Sequence, residues 1–226
     1  MSFISRHFYV LMLLAGAAAC LTISVFRRKK FEYSLKKALG FTGICAVSGY
    51  IFSRLLFILE TGVFALKITG LSFYGLVLLM PIAMFFVSVI SKESYFRCMD
   101  FISVFVPISL AFVKIGCHFA GCCGISTHYL NKGIFSFISI QLSECILNVL
   151  IVIALCVLER KIKIRGILYP IYMGTYAIIR FILEFFKEKD YLVWSFSNAQ
   201  WLSVLCLIVA LMLLYVILKS RKTEKQ

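Results

Sequence analysis

Charge is what this chain has least of. Charged residues fill 15% of its 226 positions while apolar ones fill 62%. A soluble domain averages about a quarter charged and about half apolar. Acid is scarcer still, with 10 Asp and Glu against 24 Lys and Arg. This shortage is incompatible with a surface wholly in water. Proline occurs three times, and no low-complexity stretch or convincing internal repeat interrupts the chain. The polar loops run to only about a dozen residues, so nothing marks off a separate soluble domain. A single integral membrane domain over 1–226 is expected.

Apolar residues fall instead in blocks of roughly twenty, enough to cross ~30 Å of hydrocarbon as helix. Unpaired backbone groups in lipid cost several kcal/mol each, so the blocks must be helical. The fold expected is all-α and polytopic, with about seven transmembrane helices at 8–26, 38–59, 71–91, 101–124, 137–158, 166–186 and 200–218. Between them the Lys and Arg count alternates. The segments 27–37 and 159–165 hold six and four, whereas 60–70 and 125–136 hold one each. Two lie in each of 92–100 and 187–199, and four follow 218. Basic loops stay in the cytoplasm, which puts the N-terminus outside and the C-terminus in the cytoplasm.

The net charge of +14 does not point to nucleic acid. Basic residues sit at the ends of apolar blocks, where they orient helices and attract anionic headgroups. The first block, Tyr9 to Phe26, contains Ala17-Ala18-Ala19-Cys20, which resembles a lipobox. Its basic cluster, Arg27 to Lys30, follows the apolar run rather than preceding it, so an uncleaved helix is expected. Nine cysteines, odd in number and mostly inside apolar blocks, do not form a disulfide framework.

Polar residues inside the blocks carry the chemistry. An ionisable side chain near the bilayer centre costs at least ~2.5–3.5 kcal/mol on insertion scales, so it belongs in a bundle interior or wet cavity. The set is Arg54, Lys114, His118, Glu144, Arg180 and Glu184. In the fourth block Lys114, Cys117, His118, Gly121 and Cys122 recur at helical spacing and share a stripe, a plausible reactive surface or else a small-residue packing face. Cys123 adjoins it. In the sixth, Tyr172, Tyr176, Arg180 and Glu184 repeat every four residues. Arg180 suits a phosphate, which its planar fork grips bidentately, though pairing with Glu184 alone would also account for it. Arg54, Lys114 and Arg180 could build a positive chamber for an anionic headgroup, with Glu60 as a partner for Arg54 or simply the helix end. Gln141 and Glu144 open the fifth block and Gln200 opens the seventh, where capping or substrate contact would each account for them.

These segments occur in a familiar order. Arg180-Phe-Ile-Leu-Glu184-Phe-Phe-Lys-Glu-Lys-Asp190 resembles the Arg-Phe-x-x-Glu-Phe-Phe-Arg-x-x-Asp stretch of the prolipoprotein diacylglyceryl transferase family. Gln200-Trp-Leu-Ser203 is similar to that family's Gly-Gln-x-Leu-Ser, Gln141-Leu-Ser-Glu144 to Ser-Gln-Leu-Tyr-Glu, and Thr69-Gly-Leu-Ser-Phe-Tyr-Gly75 to Gly-Gly-x-Ser-Phe-His-Gly. Lys114-Ile-Gly-Cys-His-Phe-Ala-Gly-Cys122 stands where the family has Gly-Arg-Ile-Gly-Asn-Phe-x-Asn-Gly-Glu, and Arg54 matches a second-span arginine. The resemblance covers about 40–205. It departs at Lys114 for arginine, Cys117 for asparagine, Cys122 for glutamate and Tyr74 for histidine.

The resemblance implies a bacterial plasma (inner) membrane enzyme without cofactor. It would pass the diacylglyceryl group of phosphatidylglycerol to the lipobox cysteine of a preprolipoprotein. His118, Arg180, Tyr74 and Cys122 are then the expected catalytic residues, with His118 as replacement base. Arg54, Lys114, Cys117, Gln141, Glu144, Tyr176, Glu184 and Gln200 are the expected substrate contacts. The alternative is a non-catalytic or differently specific anionic-lipid-binding or transport protein that kept the cations. A soft-metal or redox site at Cys117, His118, Cys122 and Cys123 is disfavoured, because adjacent ligands on one helix rarely close a tetrahedral site. No metal is expected.

Overall fold

The computed structural model describes residues 3–62, 71–120, 139–186 and 196–223, with side chains from 7 to 221 within them. It is all-helical among the described residues. The elements are α1 (Phe3–Lys30), α2 (Leu35–Thr61), α3 (Phe73–Ser91), α4 (Tyr95–Ile102), α5 (Phe105–Ala120), α6 (Ile140–Lys161), α7 (Leu168–Glu184) and α8 (Asn198–Thr223). α4 and α5 follow each other as one span broken near Ser103. There Pro107 lacks the N–H that would bond back to that turn. Serine stands at the N-cap of α2, α3, α4 and α6. Ser34 and Ser139 accept the backbone N–H of Lys37 and Leu142, each at 3.3 Å. Gly62, at φ 67°, ends α2 in the left-handed conformation that suits glycine, returning its N–H to Ile58.

Six stretches of the described chain are long and apolar enough to cross a membrane: His7–Lys30, Leu35–Thr61, Phe73–Ser91, Tyr95–Ala120, Ile140–Lys161 and Asn198–Arg221. The seventh expected span, 166–186, is the helix α7. Its 17 residues extend about 26 Å at ~1.5 Å per residue. The fourth begins at Tyr95 rather than 101. Arg97 and Asp100 make its first turns look like a loop, and both are held by protein groups. Arg97 donates to the Phe31 carbonyl, and Asp100 accepts the N–H of Gly166 at 2.5 Å and of Leu168 at 3.0 Å. Beside Asp100, Arg27 grips Glu159 with both ends of its fork at 2.9 and 2.8 Å. One end of the bundle is thus tied across α1, α4, α6 and α7.

Burial is inverted relative to a soluble protein. Leu14, Phe26, Phe86, Ile90, Met212 and Tyr215 face outward, while Lys114, Glu144, Asn148 and Glu184 are buried. α1 packs on α5, α5 on α6, α2 on α3 and α7 on α8. Without a hydrophobic drive between helices in lipid, close approach and internal hydrogen bonds must hold them. Gly75 provides the first of these. A Cβ there would fall on the Phe52 carbonyl, so only glycine lets α3 start against the middle of α2. Pro81 calls for the second. It strips the Val77 carbonyl of its helical partner, and the Tyr169 hydroxyl of α7 donates to that carbonyl at 2.9 Å.

Candidate functional site

The buried ionisable residues of α5, α6 and α7 converge. On α6, Gln141, Glu144 and Asn148 fall three and four residues apart and form one buried stripe. Glu144 receives cations from both sides: Oε2 meets Lys114 Nζ of α5, and Oε1 meets Arg180 Nη1 of α7. Arg180 turns its second nitrogen, Nη2, to Glu184 Oε2 at 3.3 Å. Side-chain exposures of 7% for Lys114, 4% for Glu144, 15% for Arg180 and 12% for Glu184 place all four out of water. The result is a neutral set of two cations and two anions, with Glu144 at its centre. The intramembrane positive chamber expected from Lys114 and Arg180 is therefore charge-compensated. Arg54, half-buried on α2, stacks over its own neighbour Phe57 with 5.5 Å to the ring centroid.

Aromatic rings wall the set. The Lys114 ammonium lies 5.3 Å from the centre of the Phe73 ring, a cation–π contact of ~0.5–2 kcal/mol. Tyr176 packs edge-on to Tyr74 at 5.9 Å between centroids, one turn of α7 before Arg180. Ser203 donates to the Ala199 carbonyl at 2.9 Å, so the Tyr74 hydroxyl, 2.6 Å away, is the donor to Ser203.

The expected stripe of α5 divides. At about 100° per residue, positions four apart differ by only ~40°, whereas Cys117 and His118 diverge by a full ~100°. Lys114 and His118 turn to α6, where His118 Nδ1 lies 2.8 Å from Ser139 Oγ. Cys117 turns to α1 and packs with Tyr9, Val113 and Ala120, with Phe73 against the same cluster. Cys122 and Cys123 lie outside the described residues.

Gln200 closes a capping box with Ser197. Its N–H donates to Ser197 Oγ at 3.3 Å, and its Oε1 accepts the Ser197 N–H at 2.9 Å. The capping reading therefore accounts for its carbonyl, and its buried Nε2 meets no acceptor among the described residues. Gln141 is buried beside Glu144. Glu60, considered as a partner for Arg54, accepts instead from Ser72 Oγ at 2.9 Å. Sequence reasoning missed Phe73 as a platform and Glu144 as the hub. The available signal was charge balance, since buried cations on two blocks require a buried anion within reach of both.

Beside this set an apolar cavity of about 210 Å³ runs between α1, α2, α3 and α5. Leu13, Ala17, Ala46, Leu76 and Met80 line it, and Phe73 and Val113 stand at the end nearest Lys114.

A family model described as prolipoprotein diacylglyceryl transferase matches residues 1–216. A phosphatidylglycerol–prolipoprotein diacylglyceryl transferase of Campylobacter jejuni is 28% identical over 177 residues, covering 70% of this chain. The chain spans 61% of that relative's length. One of Clostridium botulinum is 24% identical over 239 residues, which covers 96% of this chain and 94% of the relative.

Proposed function

Because the chain belongs to the prolipoprotein diacylglyceryl transferase family, we propose that it transfers the diacylglyceryl group of phosphatidylglycerol to the cysteine thiol of a lipobox peptide in the bacterial plasma membrane. The observation that carries this reading is Arg180, held between Glu144 and Glu184 next to the Lys114 ammonium. A guanidinium with two donors already aligned can take a phosphate bidentately by exchanging one carboxylate for it. Glu184, at 3.3 Å, is the looser of the two. Charge then moves onto the leaving glycerol phosphate, and fixed cations in a dry site stabilise that movement. The adjoining apolar cavity suits an acyl chain of the donor. Gln141, Tyr176 and Gln200 complete the wall around the headgroup, and His118 stands one turn from Lys114 toward the acceptor. Arg54 and Cys117 remain contacts of the same substrate, and Cys122 belongs to this proposal by its motif position alone.

The transfer is tested by incubating the purified protein with labelled phosphatidylglycerol and a lipobox peptide, then weighing the peptide. A diacylglyceryl adduct is expected on the cysteine. The second reading, lipid binding without transfer, draws on Tyr74, whose hydroxyl is committed to Ser203. Tight lipid binding with an unmodified peptide would establish it instead.

The topology that goes with this function has seven crossings, α7 included, with the N-terminus outside. The alternation of basic loops supports it, as does the Arg27–Glu159 cluster lying at the opposite end of the bundle from Arg180. A reporter fused after Gln226 should be active only as a cytoplasmic reporter, and an external signal would refute the orientation.

A further inference from the structure

The family position of a histidine is Tyr74 here, and its hydroxyl already donates to Ser203. The chain must therefore deprotonate an incoming thiol by another group, since the thiolate is the competent nucleophile. The described carboxylates narrow the choice. Glu32, Glu93, Asp100 and Glu159 lie at the far end of the bundle, in or beside the turns that hold the basic clusters. Glu144 has both oxygens on cations, and Glu184 faces Arg180.

His118 has its Nδ1 engaged by Ser139 Oγ, the hydroxyl that also caps α6 by accepting the Leu142 N–H. In the tautomer in which the Ser139 hydroxyl donates to Nδ1, the imidazole carries its proton on Nε2 and presents a donor, not a base.

Glu60 remains. It is exposed at the last turn of α2, and Ser72 Oγ donates to Oε1 at 2.9 Å. Ser72 occupies the N-cap position of α3 yet makes no capping bond with its side chain; the hydroxyl goes to Glu60 instead. A serine at that position usually caps, to the benefit of the helix by ~0.5–2 kcal/mol. The next residue, Phe73, lies beneath Lys114 of the ion set, and Tyr74 packs against Tyr176, one turn of α7 before Arg180. Glu60 also lies within the field of Arg180. Leu71 and Phe73, on either side of Ser72, line the apolar cavity. A carboxylate held by a hydroxyl rather than a cation thus stands beside the short segment Leu71–Phe73 that joins the cavity to the ion set.

We infer that Glu60 is the general base of this chain, taking the proton of the acceptor thiol at Oε2. The inference rests on the transferase reading above. The acceptor Sγ–H bond breaks, its proton passes to Glu60, and the thiolate attacks the glycerol carbon that bears the phosphate ester. The C–S bond forms as the C–O bond breaks, and the electron pair stays on the phosphate oxygen. Glycerol phosphate leaves as the dianion and takes the thiol's proton from Glu60, a phosphate monoester holding its second proton with a pKa of ~6. Atoms and charge balance without a co-reactant.

The experiment compares Glu60→Gln with the wild type on two lipobox peptides, one with cysteine and one with selenocysteine, whose selenol is ionised at neutral pH. The variant should lose about 100-fold or more in kcat on the thiol. On the selenol it should come within about threefold of wild type, a rescue that a purely structural defect would not show. Equal losses on both peptides, or no loss on either, overturn the role of Glu60 and leave the transferase reading standing. A wild type inert toward both peptides overturns the transferase reading, and this role with it. If Glu60→Gln does not fold, the wild-type profile on the cysteine peptide decides. A base predicts a rate flat between about pH 6 and pH 8, whereas a tenfold rise per pH unit, tracking the free thiol of pKa ~8.5, would mean that no base acts.

Discussion

Glu144→Ala should destabilise the bundle by about 3–5 kcal/mol, because it leaves Lys114 and Arg180 buried against each other without their shared anion. Arg180 would keep Glu184, but the Lys114 ion pair with Glu144 would be gone. Thermal unfolding in detergent, read with size-exclusion chromatography, should report an earlier transition and more aggregate. The cause is tested by a second change. Lys114→Met combined with Glu144→Gln removes one charge of each sign and restores neutrality, so the double variant should recover much of the loss that Glu144→Gln alone incurs. A Glu144→Ala protein as stable as wild type, or a double variant worse than the single, would mean that the four charges do not act as one set.

Arg180→Lys should leave the protein folded and reduce transfer by about 100-fold or more, equivalent to ~2.7 kcal/mol of barrier. An ammonium can hold Glu144 or Glu184, which satisfies the ion pair. It cannot hold a carboxylate and two phosphate oxygens in one plane, as the guanidinium can. The point is sharper in this chain than in the family pattern it resembles, because lysine already stands at position 114. Arg180 is thus the fork nearest the compensated site. The two views of Arg180 predict different outcomes in the same assay: a mere ion pair survives the change, a phosphate clamp does not. Normal transfer of labelled diacylglyceryl by well-expressed Arg180→Lys would eliminate the clamp.

Most of the helices were readable from hydropathy alone. The third expected span, 71–91, is α3 (Phe73–Ser91), and the fifth, 137–158, is α6 (Ile140–Lys161). Lipid makes this possible, since it forbids any backbone in its core that cannot satisfy itself. Arg97 and Asp100 read as loop residues, which sets the expected start of the fourth span at 101 rather than at Tyr95. Only the fold shows that the Phe31 carbonyl and the start of α7 satisfy them.

Sequence periodicity also selected which residues lie inside. Lys114, Glu144, Arg180 and Glu184 are all marked by the cost of charge in hydrocarbon; three are buried, and the Arg180 side chain keeps 15% exposure. What it could not supply was their pairing. Helical spacing sets the azimuth of a side chain about its own axis but says nothing of which helix stands opposite. The pairing of Arg180 with Glu184 was visible because both lie on one helix. Its pairing with Glu144, 36 residues away, was not. The same gap hid the division of Lys114 and Cys117 between α6 and α1, and the turn of Glu60 from Arg54 to Ser72. Composition and period therefore determined a membrane bundle with a charged interior. The packing of α5, α6 and α7 alone decided that this interior is a neutral set centred on Glu144, because attraction between charges acts through the distance between them and not along the chain.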